Sequence, residues 1–425
     1  MRDTSSDGLT ALSLCTGAGG LDLGVEAAGF RVVGQVEIDA DSVGTLRGHH
    51  RLTGTDARVV HAGIEDVDPR HLREELGLTR GELSLLAGGP PCQPFTTHGR
   101  RQGIRDGRVS SLFPSYLGYI REFVPATFLM ENVDGLLSAA LVHRPLTERT
   151  KDRPMGPEEM KGSFLRWLVG ELCALGYTVC WGILEASDFG VPQMRQRAFL
   201  LGTKSSTPCY LPEGDRDAPR VTLRQALSGL DDPGPVQPLS AAKVAVYSRV
   251  PAGGNWRSLP VEVQQATMGR AFLATGGKSG WWRRLSWDEP APTVLGMPDH
   301  SSTGLIHPDD VRCLGLHECA AVQTFPSDYP FAGRPRSQYQ QVGNAVPVKL
   351  AQVVAERVKG HLAGERFAQP GSPPWRKESS NRRIGTHGWV ERAGRDLVAT
   401  LNVKVRDDHV WSREGSEGRP VCVPA

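Results

Sequence analysis

Hydrophobic and polar positions alternate in blocks over the first 200 residues of the chain. Short apolar runs, which are typical of buried strands, are separated by stretches with helical periodicity. The runs predict strands at TALSLCTG, VVGQVEI, LSLLAGG, ATFLMENV and AFLLGT, and LDLGVEAAGF predicts an amphipathic helix after the first strand. This alternation is the pattern of an α/β fold with a parallel sheet. Glycine or polar residues cluster where each strand ends, which is where doubly wound folds bind ligands.

The pattern changes after residue 202. Proline and glycine accumulate over residues 203–285, and the strand–helix alternation is lost. Helical periodicity returns around Lys349–Val358, and the chain beyond Gly360 is rich in Pro, Ser and Arg, as in a linker or tail. We expect a short terminal strand pair within that tail, at DLVATLNVKV and GRPVCVP. The expected units are 1–202, 203–285, 286–360 and 361–425.

Composition and charge narrow the class of protein. The 425 residues are 39% hydrophobic and 23% charged, as in an ordinary globular protein. No apolar run approaches the ~18 residues of a membrane span, and the first residues carry no secretory pattern, so we expect a cytoplasmic protein without membrane contact. The eight cysteines form no C-x-x-C pair, which favours reduced thiols and predicts no metal site.

The net charge of +2 conceals a local surplus. Lys and Arg number 49 and acidic residues 47, so the whole surface is not basic. Residues 240–287, however, hold seven Lys or Arg and a single acidic residue, Glu262, together with several aromatic residues. A segment of this composition can neutralise phosphates of a nucleic acid.

A glycine-rich turn, T-G-A-G-G, joins the first predicted strand to its helix, and Glu37 ends the next strand about 20 residues later. Such a turn lets backbone N–H groups approach a ligand, and a carboxylate at the position of Glu37 suits ribose hydroxyls. The alternative is a plain tight turn. The G-x-G-x-x-G form is absent, and S-adenosylmethionine sites use the shorter turn.

Two further motifs follow apolar strands, and a third precedes the strand AFLLG. Cys92 lies in G-G-P-P-C-Q-P-F, where two prolines stiffen the loop that would present a nucleophilic thiol; the alternative is a cysteine packed as a small hydrophobe. Glu131 follows another strand, where desolvation would favour its protonated form, although such a residue can also serve as a cap or ion-pair partner. In Q-M-R-Q-R, alternation places Gln193, Arg195 and Arg197 on one face, either to clamp a phosphate or base carbonyl or as a solvated strand face.

In this order, the four motifs resemble those of the DNA (cytosine-5)-methyltransferase family. RCLGLHECAAVQTFP from Arg312 and YQQVGNAVP from Tyr339 resemble the last two motifs of that family. The resemblance covers about residues 12–202 and 283–358. It implies a Rossmann-like S-adenosylmethionine-dependent methyltransferase domain with a mixed, mostly parallel sheet, and a smaller, loop-rich target-recognition domain over the basic segment.

The resemblance also implies the chemistry. Cys92 would add to C6 of a cytosine flipped out of double-stranded DNA, so that C5 can take the methyl group of S-adenosylmethionine. Glu131 would protonate or hydrogen-bond N3, Arg195 would hold the base carbonyl, and Arg197 would order the site around the Cys92 loop. Residues 96–111 would close over the DNA as a lid.

The cofactor would be contacted by residues of several motifs. The resemblance implies Cys15, Thr16, Gly17, Ala18, Gly20, Glu37, Ile38, Pro91, Leu112, Asn344 and Ala345. One departure concerns the adenine, because the family usually has an acidic residue for its amino group where this chain has Gly63.

Two other functions compete with a DNA methyltransferase. Thr96, where most DNA enzymes of the family have Ser, resembles the tRNA-methylating branch, but the C-F-T tripeptide of that branch is absent. A methylase-like DNA-binding regulator would need an N-terminal helix-turn-helix, for which the residues before Leu12 leave no room. We therefore expect a monomeric DNA (cytosine-5)-methyltransferase, with a cognate restriction endonuclease encoded nearby.

Overall fold

The computed structural model describes residues 8–91, 109–145, 148–149, 153–275, 278–368, 388–390, 409–412 and 421–424. Cys92 and the predicted lid up to residue 108 lie outside the described residues. The side chains of residues 109–111 and of the three short C-terminal strands are likewise not described.

An eight-stranded sheet forms the centre of the molecule. Its strand order is β10-β6-β8-β5-β4-β1-β2-β3, and all neighbours from β5 to β3 run parallel. The pairs β5–β8, β6–β8 and β10–β6 are antiparallel, so the predicted mixed, mostly parallel sheet is confirmed. The strands are β1 Thr10–Leu14, β2 Arg31–Glu37, β3 Arg58–His61, β4 Leu85–Gly88, β5 Thr127–Val133, β6 Thr178–Glu185, β7 Gln193–Met194, β8 Gln196–Thr203, β9 Ala291–Pro292, β10 Gly388–Val390, β11 His409–Ser412 and β12 Val421–Pro424.

Helices cover both faces of the sheet. The α-helices are α1 Gly20–Ala27, α2 Ala40–Thr53, α3 Pro69–Glu75, α4 Val109–Phe123, α5 Ser163–Ala174, α6 Leu223–Ala226, α7 Ala241–Tyr247, α8 Val261–Met268, α9 Leu316–Val322, α10 Pro335–Asn344 and α11 Val348–Leu362. Alternate residues of β1 belong to opposite apolar clusters, since Leu12 and Leu14 pack towards α4 and α5, and Ala11 packs towards α1 and α11. The helices predicted after β1 and around residues 349–358 are confirmed as α1 and α11.

The chain after β8 is loop-rich, as the sequence predicts. Between β8 and residue 285 the regular elements of the described chain are short helices, and β9 pairs with the two-residue strand β7. Tyr247 and Trp282 belong to a separate apolar cluster, which continues to Ile306 and Cys313. This cluster gives the basic segment a core of its own.

Parts of the tail are ordered into strands. β11 and β12 form an antiparallel pair, and β12 lies within the predicted strand GRPVCVP. The other predicted strand, DLVATLNVKV, lies outside the described residues. No helix in the described part of the chain is long and apolar enough to cross a membrane.

Candidate active site

The turn between β1 and α1 is held by a buried carboxylate. Oε2 of Glu37 accepts a hydrogen bond from the N–H of Gly17 at 2.6 Å, and Oε1 accepts from the N–H groups of Ile38 and Asp39 at 2.9 and 2.8 Å. Gly17 has φ +58°, and no atom lies within 4 Å of where its Cβ would be. The turn is therefore open above Gly17, and Oε2 keeps a lone pair for a further donor.

A second buried carboxylate lies beneath this turn. Asp22 accepts hydrogen bonds from the Ser13 hydroxyl at 2.6 Å and from the Gln35 amide at 2.5 Å. Burial, and to a smaller extent the nearby charge of Glu37, raise its pKa to about 6 in spite of these bonds. Asp22 thus ties α1 to β1 and β2 at the point where the glycine turn begins.

The junction of α10 and α11 packs against the same turn. A Cβ on Gly20 would lie 2.5 Å from the Val346 carbonyl oxygen and 3.0 Å from the Ala345 methyl group, so only glycine fits. Asn344 is exposed and Ala345 half-buried beside it. The structure thus brings the late motif to the first motif, across more than 300 residues of sequence.

The remaining predicted cofactor residues differ in exposure. Ile38 is 48% exposed although it is apolar, which leaves its side chain available to a flat ligand. Leu112 is buried, Pro91 is exposed, and Thr16 is buried with its hydroxyl 3.1 Å from the Ser13 hydroxyl. Cys15 has φ +52°, and burial raises the pKa of its thiol strongly, so this cysteine is not a thiolate.

The ends of β4 and β5 lock together beside the predicted nucleophile loop. The Asn132 amide donates to the Pro90 carbonyl oxygen at 2.8 Å, and a Cβ on Gly89 would lie 3.1 Å from Oε2 of Glu131. Asn132 is buried, so this bond fixes the backbone two residues before Cys92. The E-N-V motif therefore anchors the backbone at Pro90 as well as carrying a carboxyl group.

Glu131 forms a buried ion pair with Arg197. Nε of Arg197 lies 2.9 Å from Oε1 of Glu131, and the two side chains are 13% and 11% exposed. Burial raises the pKa of Glu131, although Arg197 and Arg195 act in the opposite direction. The protonated form of Glu131 is thus more accessible than that of an exposed carboxyl group, which suits a proton donor.

Arg195 lies deeper and binds backbone. Its guanidinium donates at 2.9 Å each to the carbonyl oxygens of Val294, Gly343 and Ala345, and the residue is fully buried. These carbonyls belong to two distant segments of the chain. The structure therefore places Arg195 as a clamp between the segment that follows the basic region and the α10–α11 junction.

Sequence reasoning assigned no role to Gln323, which completes this clamp. Its side-chain oxygen accepts a hydrogen bond from the Gln193 amide at 2.7 Å, and its own amide donates to the Val342 carbonyl oxygen at 2.6 Å and to that of Ala345 at 3.1 Å. Gln193 also accepts from the Val294 N–H at 2.8 Å. Gln323 lies in the motif that begins at Arg312, and no signal in the sequence pairs it with Gln193.

The basic segment uses part of its charge internally. Arg284 is buried and donates to the backbone of Val250 and Pro308, while Lys243 pairs with Asp299 at 2.8 Å. Exposed Arg257 lies 4.9 Å from the centre of the Trp256 ring. The surplus that can reach a nucleic acid is therefore smaller than the count of seven suggests.

Known proteins are similar to this chain in sequence and in fold. Residues 9–360 match the family model of the C-5 cytosine-specific DNA methylase. The chain is 34% identical over 358 residues to the Type II methyltransferase M.PspPI of Psychrobacter sp. (strain TA137), covering 82% of this chain and 78% of that one. It is 32% identical over 349 residues to M.Sau96I of Staphylococcus aureus, covering 81% and 74%.

A solved structure supports the fold independently. A crystal structure of a Spodoptera frugiperda DNMT2 mutant matches with a TM-score of 0.54 at 16% identity, covering 83% of this chain and 99% of that one. The family model spans both the catalytic motifs and the basic segment between them. This chain therefore belongs to the C-5 cytosine-specific DNA methylase family.

Proposed function

We propose that the protein methylates C5 of a flipped-out cytosine in double-stranded DNA through a covalent bond between Cys92 and C6. The observation that supports this most is the buried Glu131–Arg197 pair, whose carboxyl group has a raised pKa and lies against Gly89, close to the predicted nucleophile in sequence. Family membership supplies the reaction class.

The residues of the glycine turn fit S-adenosylmethionine. Glu37 would accept from the ribose, exposed Ile38 would lie against the adenine, and the open backbone at Gly17 leaves room for close approach. Cys15, Thr16, Ala18, Gly20, Pro91, Leu112, Asn344 and Ala345 would form the remaining wall. When bound, this cofactor supplies a methyl group on a sulfonium sulfur, which is electrophilic.

The protein groups then act on the base. The Cys92 thiolate would add to C6, while Glu131 donates a proton or hydrogen bond at N3, so that the electron pair displaced from the C5–C6 double bond becomes available at C5. After C5 has gained the methyl carbon, solvent water takes up the C5 proton, the electrons of the C5–H bond restore the double bond, and the Cys92 thiolate leaves C6 with the electrons of its bond. N3 then returns its proton to Glu131. Each bond formed to Cys92 is thus broken within one cycle.

The two arginines take different parts in this scheme. All three contacts of the Arg195 guanidinium are to backbone carbonyls, so its part is to position the α10–α11 junction. Arg197 faces the carboxyl group of Glu131, which supports a contact between Arg197 and the base carbonyl. We therefore propose Arg197 for the contact with the base, and not Arg195 as the family resemblance implies.

The biological setting follows from the relatives. M.PspPI and M.Sau96I are Type II methyltransferases, which supports a modification enzyme of a restriction–modification system. A cognate endonuclease, a monomeric state and a cytoplasmic location belong to the same proposal. The basic segment would read the DNA sequence.

Transfer of labelled methyl groups tests this function. Purified protein should label double-stranded DNA from S-adenosylmethionine, Cys92→Ser should not, and Cys173→Ala should serve as a control because Cys173 is buried in the core. DNA with 5-fluorocytosine should trap a covalent complex, because its C5 substituent cannot leave as a proton. Equal or better labelling of tRNA would overturn the DNA assignment, and no trapped complex during active turnover would overturn the role of Cys92.

A further inference from the structure

The turn after β3 directs two carboxylates towards one glycine. Gly63 is buried, and a Cβ on it would lie 2.7 Å from Oε2 of Glu65 and 3.0 Å from Oδ2 of Asp66. The N–H of Asp66 donates to the Gly63 carbonyl oxygen at 3.0 Å, which closes the turn. The Glu65 carboxylate thus occupies the volume that a side chain at position 63 would fill.

This turn adjoins the ribose-binding end of the proposed cofactor site. The N–H of Ala62 donates to the Glu37 carbonyl oxygen at 3.0 Å, and Nε2 of His61 lies 3.1 Å from the Ile38 carbonyl oxygen. The charge of Glu65 also reaches the glycine turn, where it helps to raise the pKa of Cys15 together with burial and Glu37. Glu65 therefore shares one corner of the molecule with Glu37 and Ile38.

We propose that the Glu65 carboxylate recognises the adenine of the cofactor by accepting a hydrogen bond from its exocyclic amino group. This inference rests on the proposed function. A carboxylate only accepts hydrogen bonds, so it favours a 6-amino purine and repels a 6-keto purine, which presents an oxygen at the same place. The chain thereby supplies from position 65 the acidic group that position 63 lacks.

Glu65 fits this role better than Asp66 does. It lies closer to the position of the Gly63 side chain and is half-buried, whereas Asp66 is exposed. The charges that act on Cys15 include Glu65 and not Asp66. Asp66 is therefore the matched control.

Calorimetric binding of two ligands tests the inference without any catalytic step. The ligands are S-adenosylhomocysteine and its 6-keto analogue, S-inosylhomocysteine, and the readout is the ratio of their dissociation constants. The wild type should prefer the adenine ligand by about tenfold or more, as expected for a hydrogen bond to a charged group. Glu65→Ala should bring the ratio close to one, and Asp66→Ala should leave it unchanged.

A second-site change provides a rescue. Gly63→Asp in the Glu65→Ala background should restore the preference for adenine, because removing Glu65 clears the 2.7 Å approach and Gly63 has no positive φ that would oppose a side chain. A Glu65→Ala protein that binds S-adenosylhomocysteine and keeps the wild-type ratio would overturn the inference and leave the proposed function standing. A wild type that binds neither ligand would instead contradict the proposed function.

Discussion

Arg197 and Glu131 form an ion pair, with Nε 2.9 Å from Oε1, at the end of two antiparallel strands. Val133 of β5 is registered opposite Arg197 of β8, so the sheet itself sets the pair. Burial raises the pKa of the carboxyl group more than the two arginines lower it. The pair thus holds a carboxyl group in place while leaving it able to carry a proton.

Replacing Arg197 should move the pH dependence of catalysis upward. A proton donor is active below its pKa, so turnover should fall as the pH rises through the pKa of Glu131. Arg197→Met removes a charge that lowers this pKa, so the alkaline limb of kcat should move to higher pH, while kcat itself falls. The measurement is kcat against pH under saturating DNA and cofactor.

Glu131→Gln is the control for this assignment. It cannot give up a proton, so its residual activity should lack the limb that Arg197→Met displaces. An alkaline limb that moves downward in Arg197→Met, or that persists unchanged in Glu131→Gln, would contradict the role of Glu131 as donor.

Replacing Arg195 should lower the free energy of unfolding more than replacing Arg197. Its guanidinium satisfies three carbonyl oxygens in a fully buried place, and a lysine cannot reproduce that fork. Arg195→Lys should lower the free energy of unfolding by about 3 kcal/mol, because buried acceptors lose their donors. Urea titration measures this, with Arg197→Lys as the matched control.

Arg197→Lys should lower the free energy of unfolding by roughly 1 kcal/mol or less, since the lysine keeps a charge beside Glu131. Similar losses in the two variants would show that the carbonyl clamp contributes nothing special to stability.

Strand ends could be read from the sequence, but the partners of the polar side chains could not. Glu37 and Glu131 follow apolar runs, and the parallel sheet places such positions at one edge. The different contacts of Arg195 and Arg197 could not be predicted, because simple alternation assumes one continuous strand, whereas β7 ends at Met194 and β8 starts at Gln196. The three acceptors of Arg195 lie 99 to 150 residues away, and no local pattern encodes such contacts.

The number of cations available to a nucleic acid could not be predicted from the sequence either. The basic segment has seven cations in the sequence, and the fold shows that the guanidinium of one of them, Arg284, is hydrogen-bonded to backbone carbonyls. Strand β3 is four residues long with both ends exposed, so its apolar signal was too short to predict.

Two exposed arginines of the basic segment should contribute to DNA binding through phosphates. Arg257 and Arg270 are exposed, and each is expected to neutralise one phosphate. Arg257→Ala with Arg270→Ala should weaken binding of cognate and unrelated duplexes alike and reduce the slope of log K against log salt by about 2. Fluorescence anisotropy at salt concentrations from about 50 to 200 mM measures this slope, because the screening of charges changes over that range.

Arg70→Ala is the matched control, because Arg70 is exposed on α3 and pairs with Glu74. An unchanged slope in the double variant, or an equal loss in Arg70→Ala, would place the phosphate contacts elsewhere.

Asp22 should make the stability of the protein fall as the pH rises from about 4 to about 6. Its pKa is raised from 3.8 to about 6, so between these values the folded state holds a proton that the unfolded state has released. Stability from this group is present at low pH and is lost as the pH rises, by about 3 kcal/mol in total at ~1.4 kcal/mol per pH unit. Asp22→Asn should therefore gain stability relative to the wild type between pH 4.5 and 7.5, because an amide stays neutral.

Glu26 must be separated from this effect, since burial and the charge of Asp22 raise its pKa to about 7. Urea midpoints of the wild type, Asp22→Asn and Glu26→Gln, measured at the two ends of the pH interval, separate the contribution of Asp22 to stability from that of Glu26. In the Glu26→Gln background the dependence between pH 4 and 6 should persist, because the buried Asp22 remains. Asp22→Asn could instead keep the full wild-type dependence of stability on pH over that interval. Asp22 would then be ionised in the folded protein at acid pH, because its hydrogen bonds to Ser13 and Gln35 outweigh its burial.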